Sequence, residues 1–331
     1  MQKIFCITVA FFIGQSTNAQ TIKLLHSGTK ISMRGLSAVS DKTVWVSGNN
    51  GTVALSTDSG TTFKWMTVKG YEKTDFRDIE AFDDKTAIIM GIDTPAIILK
   101  TIDAGENWKL VYKNNTKGMF LDALDFSNEK EGIVIGDPID GLFFIAKTED
   151  GGNTWQDKTG TFKMNAEKGE AAFASSGTNI RKITNGSGIF VSGGITSNLF
   201  IEFKKIPLPI LQGKESTGAN SIAAKNKRIF IIVGGDFNTK DSISKNCFVT
   251  TNAGNTWVEP KTPPLGYRSC IEYMYKKTWV TCGINGVDIT FDDGKNFKQI
   301  STTGFHVCRR AKSGKVVFFA GGNGKIGKLL F

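Results

Sequence analysis

Seven short runs of aliphatic, β-branched and aromatic residues, each ending in glycine, recur along this chain. They lie at 44–48 (VWVSG), 87–91 (AIIMG), 133–136 (IVIG), 189–193 (IFVSG), 229–234 (IFIIVG), 279–283 (WVTCG) and 316–321 (VVFFAG). Continuous apolar runs of this length read as buried strands, because helices need longer segments with a 3.6-residue period. Another strand-like segment precedes each run and a third follows after a turn, as at 96–100, 142–147 and 247–251. A fourth follows in five of the seven units. Repeats of four short strands predict an all-β fold, a seven-bladed β-propeller of four-stranded antiparallel blades. The last unit runs out of chain after three strands, while 21–27 (TIKLLHS) is similar to 62–68 (TFKWMTV) and 107–112 (NWKLVY). The N-terminal strand is therefore expected to complete blade seven and close the ring, since an open array would leave an exposed sheet edge.

A second pattern sits between the third and fourth strands of five units: 56–63 (STDSGTTF), 101–108 (TIDAGENW), 148–155 (TEDGGNTW), 250–257 (TTNAGNTW) and 290–297 (TFDDGKNF). The acid or amide two residues after the Ser/Thr, at Asp58, Asp103, Asp150, Asn252 and Asp292, can accept hydrogen bonds from backbone N–H groups of its own turn. Glycine two residues later supplies a positive φ. The following aromatic, Phe63, Trp108, Trp155, Trp257 or Phe297, is expected to pack into the core. This pattern resembles the Asp-box, or BNR, repeat of sialidase-type propellers. Within that group the chain most resembles the photosystem II assembly/stability-factor family and its non-photosynthetic bacterial relatives. The resemblance implies a propeller, and it implies an arginine-rich patch that receives an unfolded segment of a client protein. Units four and seven lack the turn, and Pro207 and Pro209 after unit four suit an edge strand or a loop.

Glycine is abundant and proline scarce (37 and 7), as a chain of many hairpins requires. Lys3, the apolar run 4–13 and Thr17-Asn18-Ala19 before Gln20 predict a signal peptide over 1–19, leaving 20–331 as one propeller domain exported to the periplasm or beyond. That run is too short for a permanent span, and no later segment is apolar enough for stable membrane insertion. A net charge of +10 favours anionic partners in general. No aromatic–basic motif of a nucleic-acid module is present.

Propeller ligands usually bind where the innermost strands meet at the channel mouth. Aligning those strands sets 33–36 (MRGL), 76–79 (FRDI), 120–123 (FLDA), 267–270 (YRSC) and 305–308 (FHVC) together, with 168–170 the nearest match in blade four and 218–220 in blade five. Arg34, Arg77, Arg268 and His306 then fall on neighbouring blades as one basic arc, with Asp78, Asp122 and Glu170 as nearby acids. Guanidinium groups in that arrangement would hold a carboxylate or phosphate through paired hydrogen bonds. The structural alternative is that each arginine pairs with an acid and ties blades together. Two functions follow: a non-enzymatic module that holds an anionic segment of a protein or an envelope ligand, or a sialidase-like glycoside hydrolase. The latter needs a Tyr nucleophile, for which Tyr267 is the one candidate, and partnering carboxylates. The Arg-Ile-Pro motif of sialidases is absent, because Arg34 is followed by Gly35-Leu36.

No metal and no cofactor is expected. His26 and His306 stand in no metal-ligand spacing with cysteine, the glycine-rich pieces open no helix, and the turn aspartates lack a spaced acidic set. Of the four cysteines outside the leader, Cys270 and Cys282 flank a tight hairpin equidistantly from Lys276 and could form a disulfide. Alternatively Cys247, Cys270, Cys282 and Cys308 are small buried core residues.

Overall fold

In a computed structural model, which describes residues 20–182, 188–202 and 204–331, seven antiparallel sheets form a β-propeller. The leader expected at 1–19 lies outside the described residues. Blade one comprises Met33–Ala38, Val44–Gly48, Thr52–Ser56 and Lys64–Thr67, and blade two Phe76–Ala81, Ala87–Gly91, Ala96–Thr101 and Lys109–Asn114. Blade three begins with Leu121–Phe126 and blade six with Cys270–Tyr275, each continuing through three more consecutive strands. Blade seven takes Val307–Arg310, Val317–Ala320 and Ile326–Leu330 from the C-terminal end of the chain. Thr21–His26 is its outermost strand, with Thr21 opposite Leu330 and Lys23 opposite Lys328. The ring closes as the sequence predicts. Among the described residues no helix is long and apolar enough to cross a membrane.

The second and third strands are buried on both sides because each blade packs face to face on its neighbours. Val44–Gly48, Thr52–Ser56 and Ala87–Gly91 are buried at every position, whereas Lys64–Thr67 at the rim is mostly exposed. Apolar clusters accordingly straddle blade pairs. Trp45 and Leu55 of blade one join Ile79 and Leu99 of blade two, and Ile88 of blade two joins Val134 and Trp155 of blade three.

The five repeated turns reinforce that packing. In the turn at Asp150, the Thr148 hydroxyl and the N–H groups of Asn153 and Thr154 donate to Asp150 Oδ1 at 2.8, 3.0 and 2.9 Å. The Gly152 N–H in turn donates to Thr148 Oγ1 at 2.9 Å. Gly151 and Gly152 both have φ above +70°. The Gly151 N–H reaches back to Lys130 O (2.9 Å), which ties the turn to the first hairpin of its own blade. Gly152 also meets the preceding blade so closely that a Cβ there would lie 2.3 Å from Ile88 Cδ1. The same approach joins Gly105 to Met66 and Trp45, and Gly294 to Ile231. The turn glycine thus serves inter-blade contact as well as its positive φ. Of the five turn aromatics expected in the core, Trp155 and Phe297 are buried, while Phe63, Trp108 and Trp257 are half-buried under the rim.

Blade four departs from the sequence alignment. Its innermost strand is Ile180–Lys182, followed by Gly188–Val191, Asn198–Ile201 and Lys204–Pro207. Glu170 belongs instead to Glu170–Ala171, a short strand paired with Gly193–Gly194, which extends the sheet of blade five inward from Thr217–Ala224. The carboxylate of Glu170 is buried and bonded to Lys205 Nζ (2.9 Å), Asn198 Nδ2 (2.8 Å) and the Glu167 N–H (2.8 Å). It anchors this detour, and it is absent from the residues lining the mouth cavity.

Candidate binding site at the channel mouth

Between Glu170–Ala171 and Ile180–Lys182 the chain runs into the channel and plugs it. Backbone and side-chain bonds tie this segment to five other blades. The Ala172 N–H donates to Asp137 Oδ1 (3.0 Å) of blade three, and Arg34 Nη1 of blade one donates to Ser175 O (3.1 Å). Ser176 Oγ donates to Ser269 O (2.7 Å) beside blade six, and Arg309 Nη2 of blade seven to Gly177 O (2.9 Å). The Thr178 carbonyl accepts the Ile222 N–H (3.0 Å) of blade five. Gly177, at φ +63°, lies against the Asp78 carboxylate of blade two, where a Cβ would fall 2.2 Å from Asp78 Cγ. No side chain larger than hydrogen fits there.

Above the plug is a cavity of about 480 Å³. Arg34, Arg77, His306, Asp122 and Asp137 supply its ionisable lining, and Phe120, Phe173, Phe237, Tyr267 and Ile284 supply rings and an aliphatic chain. Phe237 and Ile284 are each 42% exposed, a high value for apolar side chains in a concave site. Phe237 contacts both Phe173 and Tyr267 edge-on, with ring centroids 6.1 and 6.4 Å away. The arginines come from blades one and two, and Phe237 and Ile284 from blades five and six across the ring.

The expected arc of four basic residues breaks at Arg268. Its side chain is fully buried and turned away from the cavity. Nε donates to Asp288 Oδ2 at 2.7 Å, Nη2 pairs with the same oxygen, and Nη1 donates to Tyr267 O (2.9 Å) and Asn285 Oδ1 (2.5 Å). Arg77 remains in the wall, paired with Asp75 at 2.8 Å. For the Arg34 guanidinium, the bond to Ser175 O is the single hydrogen bond found among the described residues. Burial, and then the charge of Arg77, pull its pKa below the ordinary guanidinium value. His306 Nε2 meets Ser32 Oγ at 3.2 Å, and burial followed by the charges of Arg34, Lys325 and Arg77 lowers its pKa to about 3. It is neutral at ordinary pH and adds no fourth positive charge.

The acids divide as well. Asp78 is buried beneath the plug, accepts the N–H groups of Ile79 and Leu124 at 2.9 Å each, and is raised to about 8 by burial. It is a structural group and not part of the mouth. Asp122 does line the cavity. It is wholly buried, and its carboxyl oxygens meet no well-formed hydrogen bond among the described residues, with only the N–H groups of Ala174 and Asp137 near enough to oppose burial weakly. Burial, and then the charge of Asp137, push it well above the ordinary carboxyl range. Asp137, half-buried, is raised to about 6 by burial. The mouth therefore carries one lightly bonded guanidinium, one Arg–Asp pair, two acids that burial drives toward neutrality, and a large apolar wall.

The alignment of inner strands placed Asn220 in blade five but did not reveal Asp137, Phe173, Phe237 or Ile284. Asn220 Oδ1 accepts from both the Tyr267 hydroxyl (2.8 Å) and Ser175 Oγ (3.1 Å), fixing the phenol. Burial pushes that phenol above its ordinary pKa. The signal for Phe173 was the failure of 168–170 to align, since a missing inner strand marked a detour.

The three cysteines near blades six and seven are free. Cys270 and Cys282 are direct cross-strand partners, as the hairpin spacing implied, yet no disulfide joins them.

Comparison with known proteins finds no matching family model and no matching curated protein. Among solved structures, one described as YCF48 bound to D1 peptide is similar at a TM-score of 0.65 and 15% identity, over 96% of this chain and 98% of that one. YCF48 from Cyanidioschyzon merolae has a TM-score of 0.65 at 16% identity, over 93% and 98% of the two chains. The WD40 propeller domain of Doa1 has a TM-score of 0.62 at 15% identity, over 96% and 98%. At such identities these likenesses establish the propeller fold.

Proposed function

We propose that this protein is an exported, non-enzymatic binding module that holds an extended, acidic segment of a partner protein at the plugged channel mouth. The observation that carries the reading is the cavity itself, with Arg34 and Arg77 on one side and exposed Phe237 and Ile284 across the ring. A small inorganic anion would leave that apolar wall in water. A peptide carrying a carboxylate beside an apolar side chain would use both halves. The solved YCF48–D1 peptide structure supports the reading by example, as a propeller of the same architecture with a peptide bound. We read the five Asp turns as Asp-box repeats, supported by their shared bonding, with a role in blade packing and none in ligand contact.

The glycoside hydrolase reading retains one supporting observation, two neighbouring acids with raised pKa values in a cavity. Against it, the Tyr267 phenol is fixed by Asn220 and burial makes it harder to ionise, which a tyrosine nucleophile cannot tolerate.

Fluorescence anisotropy with a panel of labelled peptides tests the proposal. Acidic peptides with an aliphatic or aromatic neighbour should bind more tightly than purely acidic ones. Arg34→Ala/Arg77→Ala and Phe237→Ser should each weaken binding about tenfold or more, on the scale of a charge-assisted bond pair or a buried ring. Equal affinity of wild type and both variants would remove the mouth from the function. Turnover of a glycoside reporter that is lost in Asp122→Asn would establish the rival.

A further inference from the structure

Away from the mouth, three of the four free cysteines converge at one inter-blade seam. Cys270 and Cys282 are cross-strand neighbours in blade six, and Cys308 stands on the innermost strand of blade seven. Their sulfur atoms all lie within 4.8 Å of one another, and Cys270 Sγ and Cys308 Sγ are 3.6 Å apart. All three residues are fully buried. Cys270 is bonded as a sulfur acceptor as well as a donor, because the Cys308 N–H points to its Sγ at 3.3 Å.

We propose that Cys270, Cys282 and Cys308 form a buried site for a soft monovalent metal ion, of which Cu(I) is the biological representative. Metal–thiolate bonds of about 2.3 Å place the sulfurs of a three-coordinate centre roughly 4 Å apart. The one pair at 3.6 Å and the others at no more than 4.8 Å are compatible with that value. Thiolate-only sets select soft ions. Structural zinc takes four ligands, yet among the described residues no histidine or carboxylate joins the three sulfurs. Nor do the residues have any exposed surface at which bulk solvent could supply a fourth ligand. Cu(I) is content with two or three sulfurs and a dry pocket.

Charge and protons balance as follows. Each thiol that binds Cu(I) gives up one proton, so a two-thiolate centre releases two protons and carries −1, and a three-thiolate centre releases three and carries −2. Burial opposes that ionisation. Acting against burial is the Cys308 amide directed at Cys270 Sγ. Because the site is sealed, the ion enters while blades six and seven dock, or when that seam opens.

The test uses the full chain under reductant without oxygen, both as native protein and refolded with one equivalent of Cu(I), followed by dialysis against a Cu(I) chelator. Wild type and Cys247→Ser, which alters the cysteine outside the cluster, should retain one copper per chain in at least the refolded sample. Cys282→Ser and Cys308→Ser should lose at least tenfold in retained metal. X-ray absorption on the wild type, which needs no variant to fold, should show sulfur neighbours alone. The proposal is overturned by absence of bound copper in both wild-type samples, by equal retention in the cluster variants, by nitrogen or oxygen neighbours, by equal retention of Zn(II), or by a native disulfide among the three cysteines.

Discussion

Arg77 and Arg268 each follow an aromatic residue at the entry to an innermost strand, one in blade two and one in blade six, and they do opposite things. Arg77 faces the cavity beside half-exposed Asp75, whereas Arg268 is sealed inside its blade against Asp288. The difference originates on the third strand of the blade, two strands over. Two residues before the threonine or serine of the repeated turn, blade one has Ala54 and blade two has Leu99, but blade six has Asp288. An aliphatic side chain there gives the arginine nothing to bond, so it turns outward to the channel. A carboxylate there captures it. Position along a repeat fixes where the backbone goes, and a single partner residue decides whether the charge stays available.

The largest effect should come from breaking that capture. Arg268→Met leaves Asp288 buried and unpaired, at an expected loss of about 3–5 kcal/mol. Arg268→Met/Asp288→Leu, which copies the aliphatic pattern of blade two, should recover most of it, because apolar replacement of a buried ion pair is often neutral. Arg34→Met should stay within about 0.5 kcal/mol of wild type, since it removes a cation that burial and Arg77 already disfavour. Urea denaturation midpoints separate the three. If Arg268→Met unfolds at the wild-type midpoint, blade six holds no more structural charge than blade one does.

A comparable loss is expected where the rim meets the core. Trp155 is 9% exposed and packs edge-on against Phe126 at a centroid distance of 5.9 Å, while Trp257 is half-buried. Trp155→Ala should cost about 3 kcal/mol, near the low end for large aromatic truncations. Trp257→Ala should cost visibly less. A thermal-unfolding comparison in which the two variants coincide would show that the turn aromatics contribute through the turn and not through burial.

Removing the turn acid is a smaller change. Asp150→Ala deletes an acceptor for two backbone N–H groups that solvent can still reach, at about 1 kcal/mol. Burial pushes the Asp150 carboxyl up, but the hydrogen bonds from Thr154, Thr148 and Asn153 together outweigh it and hold the pKa down to about 2. A carboxyl depressed in the folded state stabilises fully above its unfolded pKa near 3.8, and that contribution is lost as pH falls through about 2. Acid titration of wild type and Asp150→Ala should therefore converge toward pH 2. A constant gap between the two curves would refute the bonding role.

These contrasts also show what a linear reading can reach. Blade number, ring closure by Thr21–His26 and the turn chemistry were legible, because each rests on short-range periodicity repeated many times. Arg34 and Arg77 were legible as mouth residues for the same reason. The plug was not, since 171–179 follows no repeat and is held by contacts to blades far away in sequence, such as Arg34–Ser175 and Arg309–Gly177. Arg268 was misplaced because its captor, Asp288, lies on another strand of the blade. The neutrality of His306 comes from burial and surrounding cations, which no spacing rule encodes.

The smallest effect is the one that best sharpens the electrostatics of the mouth. Counting the basic arc from sequence suggests that His306 should gain a proton below neutral pH and tighten anion binding. With its pKa lowered to about 3, His306 stays neutral through that range. Asp137 is the group that titrates there. Burial raises it to about 6, so it carries a negative charge at pH 7.5 and loses most of it by pH 5.5. Arg34, Arg77, Asp122 and His306 share its cavity. Of these, Asp122 lies well above the ordinary carboxyl range through burial and the charge of Asp137 itself. Affinity for an acidic peptide should accordingly rise about fivefold between pH 7.5 and 5.5, as removing one unit charge at close range in a water-facing site is worth on the order of 1 kcal/mol. Stability follows the same proton: the folded state holds it between about pH 4 and 6, so stability falls as pH rises through that window and then levels. Asp137→Asn keeps an oxygen to accept the Ala172 N–H, and it should bind at the low-pH affinity across the whole range. His306→Asn should leave the wild-type profile unchanged. If His306→Asn flattens the profile and Asp137→Asn does not, then His306 is the group that titrates, and the mouth is the more basic site that the sequence alone implies.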